Sequence, residues 1–366
     1  MSNVSEVTSA PLRKKIQALE QSNQELRRRL EDSKSKLDVE KLNLQAKYEV
    51  ANRQLSALLK KEEKTKEYVA EVKQAVTALD PIEPVAILEP KESHTPMTAV
   101  FHLTDWHVGE RIRAKETEGF GNFDWEVAQD RVLGQLVPGY LRWLNTQRSG
   151  YVINDACLLL TGDFISGDIH DELRRTNEFP IPVQTARAGH LLGSVVQALA
   201  PHCERLTVVE IGADNHSRLV QKPQAKQKVD NSMGYLVYEI MNAHVEKHAN
   251  VVVDRSEGMK HLFQIGNYKF LGEHGDSVKS WMGIPFYGLE REKAREASRR
   301  MFNDKGFHYI IIGHYHVPLF SQLIMGGSLS GTSEYDHSCG RSSPPCQTAF
   351  IVGKRGAFNF VPFTLR

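Results

Sequence analysis

At 366 residues the chain is long enough for one large domain or two ordinary ones, and a disulfide-stapled miniature is excluded. Its 46 Lys and Arg against 45 Asp and Glu leave a formal charge of +1, so attraction for nucleic acid or anionic lipid has to come from local patches. The four cysteines, Cys157, Cys203, Cys339 and Cys346, include no CxxC pair, which argues against a disulfide framework and a structural zinc. With no apolar leader and no apolar run of ~18 residues, the expectation is a cytoplasmic protein without a membrane span.

Between Pro11 and Pro81 there is no Pro and no Gly, and Lys, Glu, Gln, Arg, Leu and Ala dominate. Apolar residues step by three and four through Leu12, Ile16, Leu19, Leu26, Leu30 and Leu37, with Asn23 and Ser33 as polar members. A second frame runs Leu44, Tyr48, Ala51, Leu55, Leu58, Val69, Val72, Val76 and Leu79, offset from the first near residues 37–48. This predicts one long coiled-coil helix over residues 10–79 with a stutter between its frames. A heptad seam needs a partner helix, so a homo-oligomer is expected, most simply a parallel dimer in which Asn23 pairs with its own copy.

Pro81, Pro84, Pro90 and Pro96 block helix continuation and mark residues 80–97 as a semi-rigid linker. Residues 98–366 then alternate short β-branched runs with amphipathic helical stretches, which predicts an α/β sandwich of sheets flanked by helices. The closing TAFIVGKRGAFNFVPFTL reads as a terminal hairpin.

Several of these runs end alike. FHLTDWHVG places Asp105 and His107 just past a strand, LLLTGDF places Asp163, VVEIGADNHSR gives Asn215 and His216, FLGEHGD gives His274, and IIIGHYHV gives His314 and His316. In open α/β sheets ligands bind in the crevice at the carboxyl ends of strands. Five such ends therefore converge carboxylates, imidazoles and one amide on one place. This donor set suits divalent Mn, Fe, Zn or Mg, and the lack of Cys argues against a closed structural zinc site.

The ordered series DxH, GD, NH, H and GHxH, over residues 98–320, resembles that of the calcineurin-like metallophosphoesterase superfamily. HLTDWHVG is especially similar to the first motif of the Mre11/SbcD DNA exonuclease group. The resemblance implies two divalent metal ions, with Mn²⁺ the first expectation and Fe, Zn or Mg the alternatives. Asp105, His107 and His316 would hold one, Asn215, His274 and His314 the other, and Asp163 would bridge them. His216 matches the histidine beside the scissile phosphate, where it would serve the leaving group. The third motif departs from the family's Gly-Asn-His-Asp/Glu: Ser217 follows His216, and Ala213 and Asp214 intervene after Gly212. Whether Asp214 or another carboxylate orients His216 is open at this stage.

The expected activity is phosphodiester hydrolysis by a hydroxide shared between two metals, on a DNA substrate as a nuclease or exonuclease. The alternatives are a phosphoesterase for a small nucleotide or metabolite, and a non-catalytic coiled-coil assembly protein. Arg174, Arg175, Arg218, Lys226 and Lys228 are the candidate phosphate contacts on loops beside the motifs.

Overall fold

The computed structural model of the chain describes residues 10–77, 96–278 and 285–366. The first helix, α1 (Ala10–Thr77), runs 68 residues without interruption. Ile16, Leu19, Leu26, Leu30, Leu44, Tyr48 and Leu55 of the heptad frames are exposed on it. Leu79 and residues 80–95 of the expected linker over residues 80–97 lie outside the described residues, and Pro96 and Met97 already belong to the first strand. The chain divides into two compact units, residues 1–69 and 70–366.

In the second unit the chain passes through β1 (Pro96–Leu103), α2 (Trp125–Gln129), a π-helical segment (Asp130–Leu136), α3 (Val137–Gln147), β2 (Val152–Leu160), α4 (Asp171–Thr176) and α5 (Ile181–Leu199). It continues through β3 (Arg205–Glu210), α6 (Met233–Val245), β4 (Val251–Arg255), β5 (His261–Ile265), β6 (Tyr268–Gly272) and α7 (Pro285–Met301). The last part holds β7 (Tyr309–Ile312), β8 (Leu319–Phe320), β9 (Leu323–Met325), α8 (Glu334–Ser338), β10 (Cys346–Gly353) and β11 (Gly356–Thr364).

These strands make two sheets, ordered β11-β10-β1-β2-β3-β4 and β5-β6-β7-β9-β8. In the first, β1 to β4 are parallel and the β10–β11 hairpin adds to β1 antiparallel. The two sheets meet face to face through Val100, Leu159, Val209 and Phe350 on one side and Phe263, Phe270, Ile311 and Ile324 on the other. The outer face of the first sheet is covered by α3, α5 and α6, with Tyr140, Leu144, Leu192, Val196 and Tyr238 packed on Phe101, Leu158 and Val208. Burial on both faces explains why β2 ends in an unbroken apolar run. Leu289 of α7 packs on Leu271, Ile310 and Ile312 outside the second sheet. The expected sandwich flanked by helices is the observed architecture.

One polar side chain ties the loop after β1 to the far end of the chain. The Gln347 carboxamide, fully buried on β10, accepts from the Thr104 N–H at 2.9 Å and from Trp106 Nε1–H at 3.2 Å. Its NH₂ donates to the carbonyls of Thr104 at 2.9 Å and Gly327 at 3.0 Å. Trp106 is itself a core plug, packed edge-on against Phe164 with ring centres 5.3 Å apart. Leaving buried donors unpaired costs about 1–3 kcal/mol each. Gln347→Leu is therefore expected to lower the unfolding free energy by about 3 kcal/mol or more in urea denaturation; a loss under about 1 kcal/mol would show that the loop does not depend on this amide.

Candidate metal centre

Every side chain of the proposed ligand series sits where a strand of the sandwich ends. Asp105 and His107 follow β1, Asp163 follows β2, Asn215 and His216 follow β3, His274 follows β6, and His314 and His316 follow β7. The loops after β1 and β2 continue the ladder beyond the strands. Asp105 N–H donates to Gly162 C=O, His107 N–H to Asp163 C=O and Val108 N–H to Phe164 C=O, each at 3.0 Å. The loops after β6 and β7 are joined likewise, by Gly313 N–H to His274 C=O at 2.9 Å. Asp105, His107, Asp163, His314 and His316 all have φ between 51° and 69°, the left-handed region that non-glycine residues enter rarely and mostly at functional sites. At Gly313 a Cβ would lie 2.0 Å from Thr104 Oγ1 and 2.5 Å from Asp105 Oδ2, so glycine is required for the β7 loop to pass this close.

The side chains converge. Asp105, His107 and His316 bring ligand atoms within 4.8 Å of one another, as do Asp163, His274 and His314, and as do His107, Asp163 and His216. His107 Nε2 and His316 Nε2 face each other at 3.1 Å. His274 Nε2 lies 2.9 Å from both Asp163 Oδ2 and Asn215 Oδ1. Its Nδ1 is 2.8 Å from the Thr161 carbonyl, an oxygen that only accepts, so the proton of the neutral ring is on Nδ1. Nε2 therefore reaches both oxygens either through a second ring proton or, in the neutral ring, through a cation held between them. Asp105 is oriented by the Thr104 hydroxyl at 2.7 Å and the His314 N–H at 2.9 and 3.0 Å.

The charges tell the same story. Burial alone would depress His316, but the carboxylates of Asp105 and Asp336 outweigh it and push the ring up to about 10. Burial likewise opposes protonation of His274, and the Asp163 carboxylate beside it drives it well above its ordinary value. His107, buried beside His216 and His316, falls to about 3, and His314, buried beside His274, falls to about 4. Without metal, each donor set thus keeps one strongly basic imidazole, and a divalent cation would replace that proton. The donors fit divalent metal.

His216 does not rest on a carboxylate. Its Nδ1–H donates to the Ser166 carbonyl at 2.6 Å, and its N–H donates to Asp163 Oδ1 at 3.1 Å. Asp214, buried beside the Asp163 charge and pushed up to about 6, accepts instead from the Asp163 N–H at 3.1 Å and from the Ser217 N–H at 2.8 Å and hydroxyl at 2.5 Å. Ser217 thus joins Asp214 to Ser232, whose hydroxyl is 2.7 Å away, and leaves His216 to the backbone. The His216 ring lies 4.6 Å from that of His107.

Of the candidate phosphate contacts, Arg218 reaches the site. With His170, Asn215, Met259, Asp276 and His314 it lines a cleft of about 510 Å³, and its Nε is buried without a partner. Lys228 lines the same cleft but is held by Asp276 at 2.8 and 3.0 Å, which neutralises it. Arg174 and Arg175 lie on α4, the first 3.8 Å from Asp168, the second donating to the Asp171 carbonyl at 3.1 Å. Lys226 is exposed. Two carboxylates behind the ligands were not among the candidates: Asp336, 3.5 Å from His316 Nδ1, and Glu110, 3.9 Å from His107 Nδ1 and pushed up by burial to about 7.

No protein-family model matches the chain, and no curated protein matches it. Among solved structures it is similar to an archaeal phosphodiesterase, at 10% identity over 72% of this chain and 99% of that one, TM-score 0.31. It is also similar to vacuolar protein sorting 29 from Cryptosporidium parvum, at 13% identity over 73% and 98% of the two chains, TM-score 0.28. A third is the sulfate thiohydrolase SoxB of Thermus thermophilus, at 9% identity over 75% and 57%, TM-score 0.29. Among the described residues, no helix is long and apolar enough to cross a membrane.

Proposed function

We propose that the chain is a dinuclear-metal phosphodiesterase acting on DNA. The observation that carries this reading is His274 Nε2 held 2.9 Å from both Asp163 Oδ2 and Asn215 Oδ1, inside a cluster of donors from five strand ends. In this reading Asp105, His107 and His316 would hold one cation, Asn215, His274 and His314 would hold the other, and Asp163 would serve both. Two divalent ions, Mn²⁺ in first place, would supply acidified water for attack and neutralise charge that builds on phosphorus. His216 has its Nδ1–H committed to Ser166, so it exchanges protons through Nε2 alone. In its doubly protonated form it gives the Nε2 proton to the leaving oxygen and reverts to the Nδ1–H tautomer. Arg218 offers charge to a phosphate in the adjoining cleft. The likeness of HLTDWHVG to the Mre11/SbcD group and the Arg218 charge lining the cleft favour DNA over a small phosphorylated metabolite.

Two variants separate the roles. Asp163→Asn is expected to remove Mn²⁺-dependent hydrolysis of bis-p-nitrophenyl phosphate almost entirely. His216→Ala should keep two metal ions per chain while turnover falls about 10² to 10⁴-fold; loss of a metal equivalent would make His216 a ligand instead. Mn²⁺ at a hundred times its dissociation constant should stabilise the intact chain by about 2.7 kcal/mol for each ion bound in a thermal melt. Asp163→Asn should shrink that gain, and a melt insensitive to Mn²⁺ would rule out the metal reading. DNA as substrate is tested by cleavage of oligonucleotides beside a mononucleotide and a cyclic nucleotide, where turnover of the small molecules alone would reassign the enzyme.

For α1 we propose parallel self-association through the stripe of Leu19, Leu26, Leu30, Leu44 and Leu55, which is exposed in the single chain. Light scattering should find a dimer for the intact chain and a monomer once residues 1–90 are removed. An intact chain monomeric at micromolar concentration would exclude self-association.

A further inference from the structure

Two surface segments beside the donor cluster, neither of which contributes to the ligand set, are locked to one another. In the first, Ile112 and Phe123 are paired by backbone bonds of 2.9 and 3.1 Å and both are buried. Between them the buried Thr117 hydroxyl donates to the Gly121 carbonyl at 2.9 Å and accepts from the Gly121 N–H at 3.0 Å. Glu118 and Gly119 take φ of 53° and 87°. The resulting turn holds Phe120 outward, 58% exposed. Arg111, Arg113 and Lys115 line a cleft of about 320 Å³ in the same segment.

The second segment is α8 and the residues after it. The Ser333–Asp336 capping box fixes its start, and Tyr335 stands 70% exposed with the Arg341 guanidinium 5.3 Å from its ring centre. The segments are joined by the Arg113 N–H donating to Glu334 Oε1 at 2.8 Å and by the His337 ring 6.0 Å from that of Phe120. Asp336, next to Tyr335, reaches back to His316 Nδ1 at 3.5 Å. The rim is therefore fixed to the candidate metal centre itself.

A scaffold that holds two aromatic rings in water, with basic side chains on the same segments interspersed with Glu116, Glu118, Asp124 and Asp336, offers stacking faces and unpaired positive charge at Arg111 and Lys115 to a ligand with flat apolar faces and negative charge. Duplex DNA hides its base faces in the stack, whereas an unpaired strand offers them. We propose that this rim binds a single-stranded segment of nucleic acid, with bases stacked on Tyr335 and Phe120 and phosphates met by Arg111, Arg113, Lys115 and Arg341. The assignment rests on the reading of the centre as a DNA phosphodiesterase and adds the strand state that enters it. Arg111 and Lys115 have no acidic partner among the described residues, and so carry the free charge. Arg113 and Arg341 lie 3.4 Å from Glu116 and 3.8 Å from Asp336.

The test measures binding by the intact chain in EDTA, from the fluorescence anisotropy of labelled oligo(dT), a duplex and an abasic strand of the same length. Cleavage with Mn²⁺ is then followed on oligo(dT). Tyr335→Ala and Phe120→Ala should each weaken oligo(dT) binding about ten-fold and raise KM with kcat retained, while Tyr335→Trp stays within about two-fold of the parent. The abasic strand should bind the parent chain as weakly as oligo(dT) binds the Ala variants. Strand cleavage in which both Ala variants match the parent, or binding that favours the duplex, overturns the rim assignment and leaves the phosphodiesterase standing. Hydrolysis of bis-p-nitrophenyl phosphate without binding or cleavage of any strand overturns the DNA reading, and the rim assignment with it.

Discussion

A left-handed backbone at Asp105, His107, Asp163, His314 and His316 turns successive side chains off their strands toward one point, and each such residue costs roughly 1–3 kcal/mol that neighbouring contacts must offset. The offset is visible as hydrogen bonds. The loops after β1 and β2 pair residue for residue past the ends of their strands, and the loops after β6 and β7 are joined by the Gly313 N–H. Gln347 satisfies the polar groups of the DWH turn from below. The donor cluster is thus a property of paired loops, and no ligand is placed by its own strand alone.

The same economy governs the imidazoles. His274 and His216 are each oriented through Nδ1 by a backbone carbonyl, of Thr161 and Ser166 respectively. A carbonyl cannot donate, so it sets the tautomer without adding charge. Asp214, the acidic residue nearest His216 in sequence, is turned to the Asp163 N–H and to Ser217, where its charge fixes loop geometry. Carboxylate support appears at His316, through Asp336, on the side of the centre that carries the aromatic rim.

The positions of the clustered donors were legible because strand-end carboxylates and histidines recur in a fixed order, and short apolar runs mark where the strands stop. The sandwich followed from the alternation of those runs with helical stretches. What holds the site was not legible: Gln347 lies 243 positions from Thr104, and carbonyls such as those of Ser166 and Thr161 leave no mark in residue type. The cation assignments show the same limit. Lys228 looked like a free loop charge, yet Asp276 on another loop neutralises it. Arg111, Arg113 and Lys115 are flanked in sequence by Glu110, Glu116 and Glu118, and only the fold shows that Arg113 meets Glu116 while Arg111 and Lys115 have no acidic partner among the described residues. The exposed stripe on α1 was legible as periodicity, which describes one helix and is silent on what covers it.

The pairing of β1 with β10, together with Gln347 beneath Thr104, has a consequence for the order of events in synthesis. The first strand of the sandwich lies between β10 and β2, and its antiparallel neighbour is made some two hundred and fifty residues later. Contacts of such long sequence separation form late, because loop-closure entropy must be overcome before they gain anything. Until residue 347 has left the ribosome, Asp105 and His107 have strand β2 on one side and nothing on the other, and His314 and His316 arrive scarcely earlier. The nascent chain therefore lacks a complete donor cluster until His316 and Gln347 have emerged, and the centre closes later than the strands that carry its first donors.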